Sequence, residues 1–428
     1  MTLTCPVVHG SPIDTGEARV AIHDESFRRD PHAVYRALRQ RYGTLAPVEL
    51  APGVPATLVL GYYTAVRILH DPEHFPADPR PWQQTIAGDC PLRPMMEWRP
   101  AARYSSGAEH ARYRAPSVAA IDGVDLHAMH ARVERIATAL VDAILPAGRA
   151  DLASQYAFPL VLAVLTEVFG GSENIVGQVA AGTKARFDSD GTAAHGMDTL
   201  TAALTDLVPF KRAHPGDDIT TRLIHHPARL DDREVIAQLM SFAGAGLQAV
   251  PDLVCNALRL MLTDDRFGGS LLSGSLHTRD ALDTVLFNDP PMANFCTTYP
   301  RQPILVDNMW LPAIQPVVIS IAACNNDPDI ASNDSDRSGN RSHLAFSTGP
   351  HACPARTAAY LIAQDAIDYL LDLIPDIALA VPADRLEYRP GAFHRALTAL
   401  PVVFPRAQRS GAPTPHPAHP RHHAPTKG

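Results

Sequence analysis

The chain has 428 residues, 46% of them hydrophobic and 19% charged, which is enough for a buried core and permits one large domain or several. Its 37 Lys and Arg against 45 Asp and Glu leave a net charge of −8, so the basic footprint that draws proteins to nucleic acid is absent. The longest apolar stretch, 157–165, is interrupted by Pro159 and falls short of the ~20 residues a spanning helix needs. The opening MTLTCPVVHG lacks the basic start and apolar centre of a signal peptide. These features predict a cytoplasmic protein with neither a membrane nor a nucleic-acid polymer as partner. The six cysteines form no C-x-x-C pair and read as small buried side chains, not as a disulfide or zinc framework.

Taken in order, residues 1–25 read as an N-terminal extension and 26–405 as one domain, since no linker or repeat divides them. Residues 406–428, rich in Pro and His, read as a disordered tail unable to bury enough surface to offset its ordering entropy. His422 and His423 within it are either a metal trap or plain solvated residues. Residues 30–42 open with an acid followed by Pro and continue at helical spacing. A short strand follows at 57–60, then helices at 63–70, 130–145 and 151–169. The longest helix, 231–263, starts on an acid pair and is apolar nearly all round, as a helix through a protein's middle is. Gly244, Gly246 and Pro251 cost it ~1 kcal/mol per Gly and ~3 for Pro. They predict either a locally opened or kinked helix or a break between two helices. A helix at 279–287, strands near 303–306 and 317–321, a polar loop at 325–341, a helix at 355–373 and two short strands within 386–403 complete the reading.

The informative stretch is HLAFSTGPHACPARTAAYLIAQ, residues 343–364. Cys353 sits in a loop shaped by Gly349 and Pro350, directly before a helix whose N-terminus favours thiolate over thiol. On the residues alone, such a cysteine is a nucleophile, a metal ligand or a buried apolar side chain. Upstream, His110 and Arg114 lie four residues apart, on one helix face, where two donors reach one anion or simply face solvent.

Phe346, Gly349, His351 and Cys353 spell F-x-x-G-x-H-x-C, and with them the chain resembles the bacterial soluble cytochromes P450, in motif order and spacing over nearly all of 25–405. The resemblance implies a mainly α fold with small β-sheets, a triangular helical prism with a long central helix over haem. It implies haem b, iron protoporphyrin IX, with Cys353 as the axial ligand of the iron. It implies further that Phe346 shields the sulfur, that Gly349 belongs to the haem loop, and that His351, His110, Arg114 and the strand residue Arg301 meet the propionates. The glycine which that family carries two residues after the cysteine is Ala355 here. The predominance of Arg, with Lys at only 184, 211 and 427, suits a GC-rich, actinobacterial coding background.

Two departures are clear. The resemblance places Ala245, Gly246, Leu247, Gln248 and Ala249 on the family's A-G-x-acid-Thr, so an amide and a methyl group occupy the catalytic positions of an acid and a hydroxyl. Neither relays a proton by itself. Either ordered water or the substrate would then supply protons, or formation of the oxidant would be inefficient. The family's E-x-x-R falls at Thr284, Val285, Leu286 and Phe287, so both charges are missing; joint loss is tolerated where losing one would strand a charge.

The expected function is oxidation of a small aromatic natural product of secondary metabolism, by C–C or C–N coupling of the kind a Trp-containing cyclodipeptide undergoes. Hydroxylation, or a non-catalytic haem protein, are the alternatives. No flavin or nucleotide fingerprint is present, so a ferredoxin and its reductase are the expected electron donors. Arg337, Arg341 and Arg356 form either their docking patch or a solvated face. Met95, Met96 and Trp98, near Trp82, and Met292, Ala293 and Asn294 are the expected substrate contacts, although a loop packing cluster would look the same.

Overall fold

The computed structural model describes residues 8–9, 19–171, 193–268, 277–330 and 340–407. The tail beyond 407, with His422 and His423, and Arg337 lie outside the described residues.

Helices dominate. Helix α1 (Pro31–Tyr42) is capped by the Asp30 carboxylate, which accepts from the Ala33 N–H, and Pro31 takes the first turn, where its missing N–H costs nothing. There follow α2 (Tyr62–Leu69), α3 (Gly107–Asp122), α4 (Leu126–Ile144), α5 (Phe158–Val168) and α6 (Ala193–Ala213). A π-helical turn, Ala153–Ala157, leads into α5. The long α7 (Asp232–Thr263) begins on a reciprocal capping box between Asp231 and Glu234. Two more helices, α8 (Thr278–Asn288) and α9 (Arg356–Leu373), complete the set used below.

Helix α7 runs unbroken through Gly244, Gly246 and Pro251, so neither the expected opening nor the expected break occurs. The reason lies in packing. It is flanked by α5, α6, α8 and α9 and is buried continuously from Val250 to Leu258, which outweighs the backbone penalties. Gly246 packs closely on a neighbour: a Cβ there would stand 2.7 Å from the Leu165 side-chain tip of α5, which would have to shift.

A five-stranded sheet flanks the helical body. It is formed by β1 (Val20–Ala21), β2 (Leu45–Ala51), β3 (Val54–Val59), β4 (Asn294–Thr298) and β5 (Val317–Ser320), in the spatial order β1-β2-β3-β5-β4. β3 and β5 run parallel with Thr57 opposite Val317, while β4 and β5 run antiparallel with Phe295 opposite Ile319. The strands expected within 386–403 reduce to Pro401–Val403, which pairs with Arg149–Asp151 and with Ala378–Leu379, and to the isolated bridges Tyr388–Leu397 and Met292–His394. Residues 8–9 of the expected N-terminal extension pair in parallel with Met309 and Trp310. The largest core cluster joins α4, α5, α7 and α9; a second lies between the sheet and α1. Among the described residues, no helix is long and apolar enough to cross a membrane.

Candidate functional site

The segment before α9 is held by backbone bonds. Leu344 N–H donates to buried Asn325, Ser347 N–H to Leu344 O at 2.8 Å, and Cys353 N–H to Phe346 O at 2.8 Å. The last bond sets Phe346 beside Cys353. Gly349 adopts φ +71°, and a Cβ there would run into the Leu69 carbonyl at the end of α2, so only glycine fits this approach. Arg356 lies over the Phe346 ring, 5.6 Å from its centre.

Cys353 is accessible. Burial of its surroundings pushes the thiol up, opposed by the Ala355 N–H and by the Arg114 and Arg356 guanidiniums. The protein alone therefore favours the thiol, contrary to the reading from the helix terminus. A metal bound at this sulfur would supply the deprotonation, since coordination drives a thiol to thiolate.

Beside it, α3 brings the His110 ring to 4.2 Å from the His351 ring. Both Nε2 atoms are buried and lack hydrogen-bond partners. Burial, then His110 and Arg114, push His351 down to about 3; burial, then Arg114, also lowers His110. Arg114 spends one nitrogen on the Ala352 carbonyl. Among the described residues no carboxylate pairs with any of the three. Unpaired buried donors beside a cysteine suit a ligand that carries both a metal and carboxylates, and haem is such a ligand. The residues present fit it.

Arg301 does not join them. Tyr299 N–H bonds to Pro76 O at 2.8 Å and Ile314 N–H to Pro300 O at 2.6 Å, which turns the intervening chain outward. The Arg301 guanidinium is 66% exposed and lies 3.6 Å from Asp78. The cation near β4 is instead Arg103, stacked 4.5 Å above Phe295 and 5.0 Å from Tyr104.

In the middle of α7, Ser241, Phe242, Gly244, Ala245, Gln248 and Ala249 keep accessible surface, and Ala245 is exposed, whereas the following turns are buried. These positions recur at helical spacing and share one accessible face of the helix. Gln248 is joined there by a residue absent from the sequence reading: its Nε2 lies 2.6 Å from His394 Nε2. His394 bears no local motif and arrives through the bridge to Met292.

The expected substrate contacts divide. Met96 is buried and Met95 partly buried in a cluster with Trp82, Ala293, Tyr299 and Phe393, the packing alternative. Trp98 packs on Ala101, Tyr104 and Ala237 under the Arg80 guanidinium. Met292 is half-buried at the His394 bridge. Asn294 is a correction: it is fully buried, accepts from Tyr35 at 3.0 Å and donates to Ala392 O at 2.6 Å, so both ends of its amide serve the scaffold.

The vacated Glu–Arg positions are also rebuilt. Asp283, one residue before Thr284, is buried, accepts from the Tyr360 hydroxyl and lies 3.2 Å from Arg341 Nε. His343 Nε2 sits 3.1 Å from the same hydroxyl. The charges absent at 284–287 thus have a buried acid–arginine contact beside them. Arg341 and Arg356 are thereby engaged with Asp283 and Phe346, so the expected patch is not a set of free cations.

No family model matches the chain. It is 27% identical over 405 residues to the cytochrome P450 monooxygenase PikC of Streptomyces venezuelae, covering 91% of this chain and 95% of that one. It is 27% identical over 392 residues to the 2-hydroxy-5-methyl-1-naphthoate 7-hydroxylase of Streptomyces carzinostaticus, covering 87% and 95%. Among solved structures, CYP154C4 from Streptomyces sp. W2061 superposes with a TM-score of 0.80 at 27% identity, over 90% of this chain and 98% of that chain. Relatives and solved structures of one kind thus cover about nine-tenths of the chain; it belongs to the bacterial cytochromes P450, haem-dependent oxidoreductases that draw electrons from a redox partner to oxidise small molecules.

Proposed function

We propose that this P450 acts in the cytoplasm on a small aromatic natural product of secondary metabolism, joining two positions through a C–C or C–N bond, as in the coupling of a Trp-containing cyclodipeptide. The observation that carries this reading is the accessible face of α7, where Gln248 and Ala249 stand in place of an acid and a hydroxyl. Gly244 supports it, since a Cβ there would meet nothing within 4 Å, leaving room for a bulky ligand or two partners. In this reading the cofactor is haem b, held by Cys353, with His110, Arg114 and His351 on its propionates and Phe346 against the sulfur. Haem supplies dioxygen activation, with the thiolate tuning it electronically. Ala245, exposed on this face, leaves room beside Gln248, and Met292, half-buried at the His394 bridge, borders the ligand. A ferredoxin with its reductase delivers the electrons.

Hydroxylation is the second reading, favoured by the naphthoate hydroxylase among the relatives. The test uses a surrogate ferredoxin chain with a panel of Trp-containing cyclodipeptides and aromatic polyketides. Coupling gives a product with the mass of both partners less two hydrogens; hydroxylation adds one oxygen. Gln248→Glu with Ala249→Thr should raise hydroxylated side product relative to coupled product. A wild type that hydroxylates with tight electron coupling overturns the coupling reading.

A further inference from the structure

Haem carries two carboxylates, and a carboxylate taken out of water needs a partner charge or several donors. Of the three donors beside Cys353, Arg114 alone carries a permanent charge, and it spends one nitrogen on the Ala352 carbonyl. His110 and His351 add neutral imidazole donors. That cluster can compensate one carboxylate, and the other requires a second cation. Arg301, exposed and beside Asp78, does not supply it.

Arg103 does have the means. It lies in a single 3-10 turn, Ala102–Tyr104, just ahead of α3. The backbone of that turn is pinned from α7, where the buried Gln238 accepts from Ala102 N–H at 3.4 Å and donates to Pro100 O at 3.4 Å. Gln238 also accepts from Ser117 of α3 at 3.1 Å, and the Ser105 hydroxyl closes the turn on Ala101 O at 3.0 Å. The guanidinium sits 4.5 Å from the centre of the Phe295 ring and 5.0 Å from that of Tyr104. Two rings orient a guanidinium but leave its five N–H donors unspent. Among the described residues Arg103 makes no hydrogen bond and no ion pair. The nearby acids are taken: Asp78 by Arg80 at 2.8 Å and Arg301 at 3.6 Å, and Glu109 by Arg80 at 2.9 Å.

The strand under Arg103 is irregular in a way that suits this role. The β4 register shifts between Phe295 and Thr298, and Cys296 takes φ +53°, a left-handed conformation rarely adopted outside glycine. Burial pushes the Cys296 thiol up, against the Ser347 hydroxyl and the Arg103 charge, while Cys353 adds to the rise; Cys296 is thus within electrostatic reach of both Arg103 and Cys353. Two residues further, Thr298 is 6% exposed and its buried hydroxyl has no hydrogen-bond partner. A hydroxyl left so is costly unless a ligand meets it.

We propose, resting on the haem reading above, that Arg103 and the Thr298 hydroxyl bind the second haem carboxylate, while His110, Arg114 and His351 bind the first. The job expected of a strand arginine is then done from the opposite side, by a cation that reaches the strand from the turn ahead of α3.

The test compares Arg103→Ala, Arg103→Lys and Arg301→Ala as haem-loaded proteins. Arg103→Ala should pass its haem to apomyoglobin about tenfold faster than wild type, as loss of a charge-assisted partner implies, with Arg103→Lys in between and Arg301→Ala unchanged. A loosened turn alone would also speed release, so the second readout is the resonance Raman band of haem carboxylate bending, which reports hydrogen bonding at those groups. It should shift in Arg103→Ala, move less in Arg103→Lys and in Thr298→Val, and stay in place in Arg301→Ala. An unmoved band in Arg103→Ala overturns the assignment whatever the release rate, and so does a release rate equal to wild type. A wild type that purifies without haem overturns the haem reading and this assignment together, whereas a haem-loaded wild type with an indifferent Arg103 overturns the assignment alone.

Discussion

The Nε atom of Arg341 lies 3.2 Å from the carboxylate of Asp283, joining the loop ahead of Cys353 to α8. The same carboxylate takes the Tyr360 hydroxyl from α9, and His343 completes the group at 3.1 Å from that hydroxyl. Three segments that frame the cysteine loop thus meet on one buried acid.

Replacing that acid should loosen the loop. Asp283 is 6% exposed, and Asp283→Ala strands the Tyr360 hydroxyl and the His343 ring, a loss of about 1–3 kcal/mol. Arg341 is 47% exposed, so Arg341→Ala should cost less, about 1 kcal/mol or below. Thermal unfolding should rank the two in that order, and haem transfer to apomyoglobin should speed up in the Asp283 variant.

His343 makes the stability pH-dependent. Burial, then the nearby Arg356, push it down from 6.5 to about 4 against the opposing Asp283. The folded state thus holds a neutral ring, while the unfolded chain takes a proton as pH falls below its ordinary value. Stability is fully present above about 6.5 and is lost as pH falls toward about 4, by about 3 kcal/mol over that window. Melting curves at stepped pH should show this decline, and His343→Gln should reduce its slope.

The basic cluster predicts a contrast. His110→Ala with Arg114→Ala removes two donors from buried carboxylates, about 1.5–3 kcal/mol each, and should lower haem occupancy on purification. Arg301→Ala should leave occupancy unchanged, since its guanidinium faces solvent beside Asp78. The ratio of Soret to protein absorbance reads both.

What the sequence disclosed depended on how local each signal was. The Asp30 cap, the Asp231–Glu234 box and the spacing of His110 and Arg114 are short-range patterns, and α1, α7 and α3 follow them. The continuity of α7 through its glycines and Pro251 was hidden because it depends on packing against α5, α6, α8 and α9, distant in the chain. Arg301 and Asn294 lay in the right strand region, but outward turning and an amide bonded to Tyr35 and Ala392 are set by partners no spacing reveals. His394 was invisible for the same reason: its partner Gln248 is 146 residues upstream. Asp283 was missed by one position, because the pattern sought a Glu at Thr284, while the fold accepts an acid one step earlier when Tyr360 and Arg341 reach it.

Thiolate ligation of iron by Cys353 is read from the reduced carbon monoxide complex. The wild type should show the red-shifted Soret band of a thiolate ligand, and Cys353→Ala should lose it. A wild-type band at the position given by histidine ligation, or one that survives in Cys353→Ala, would contradict thiolate ligation.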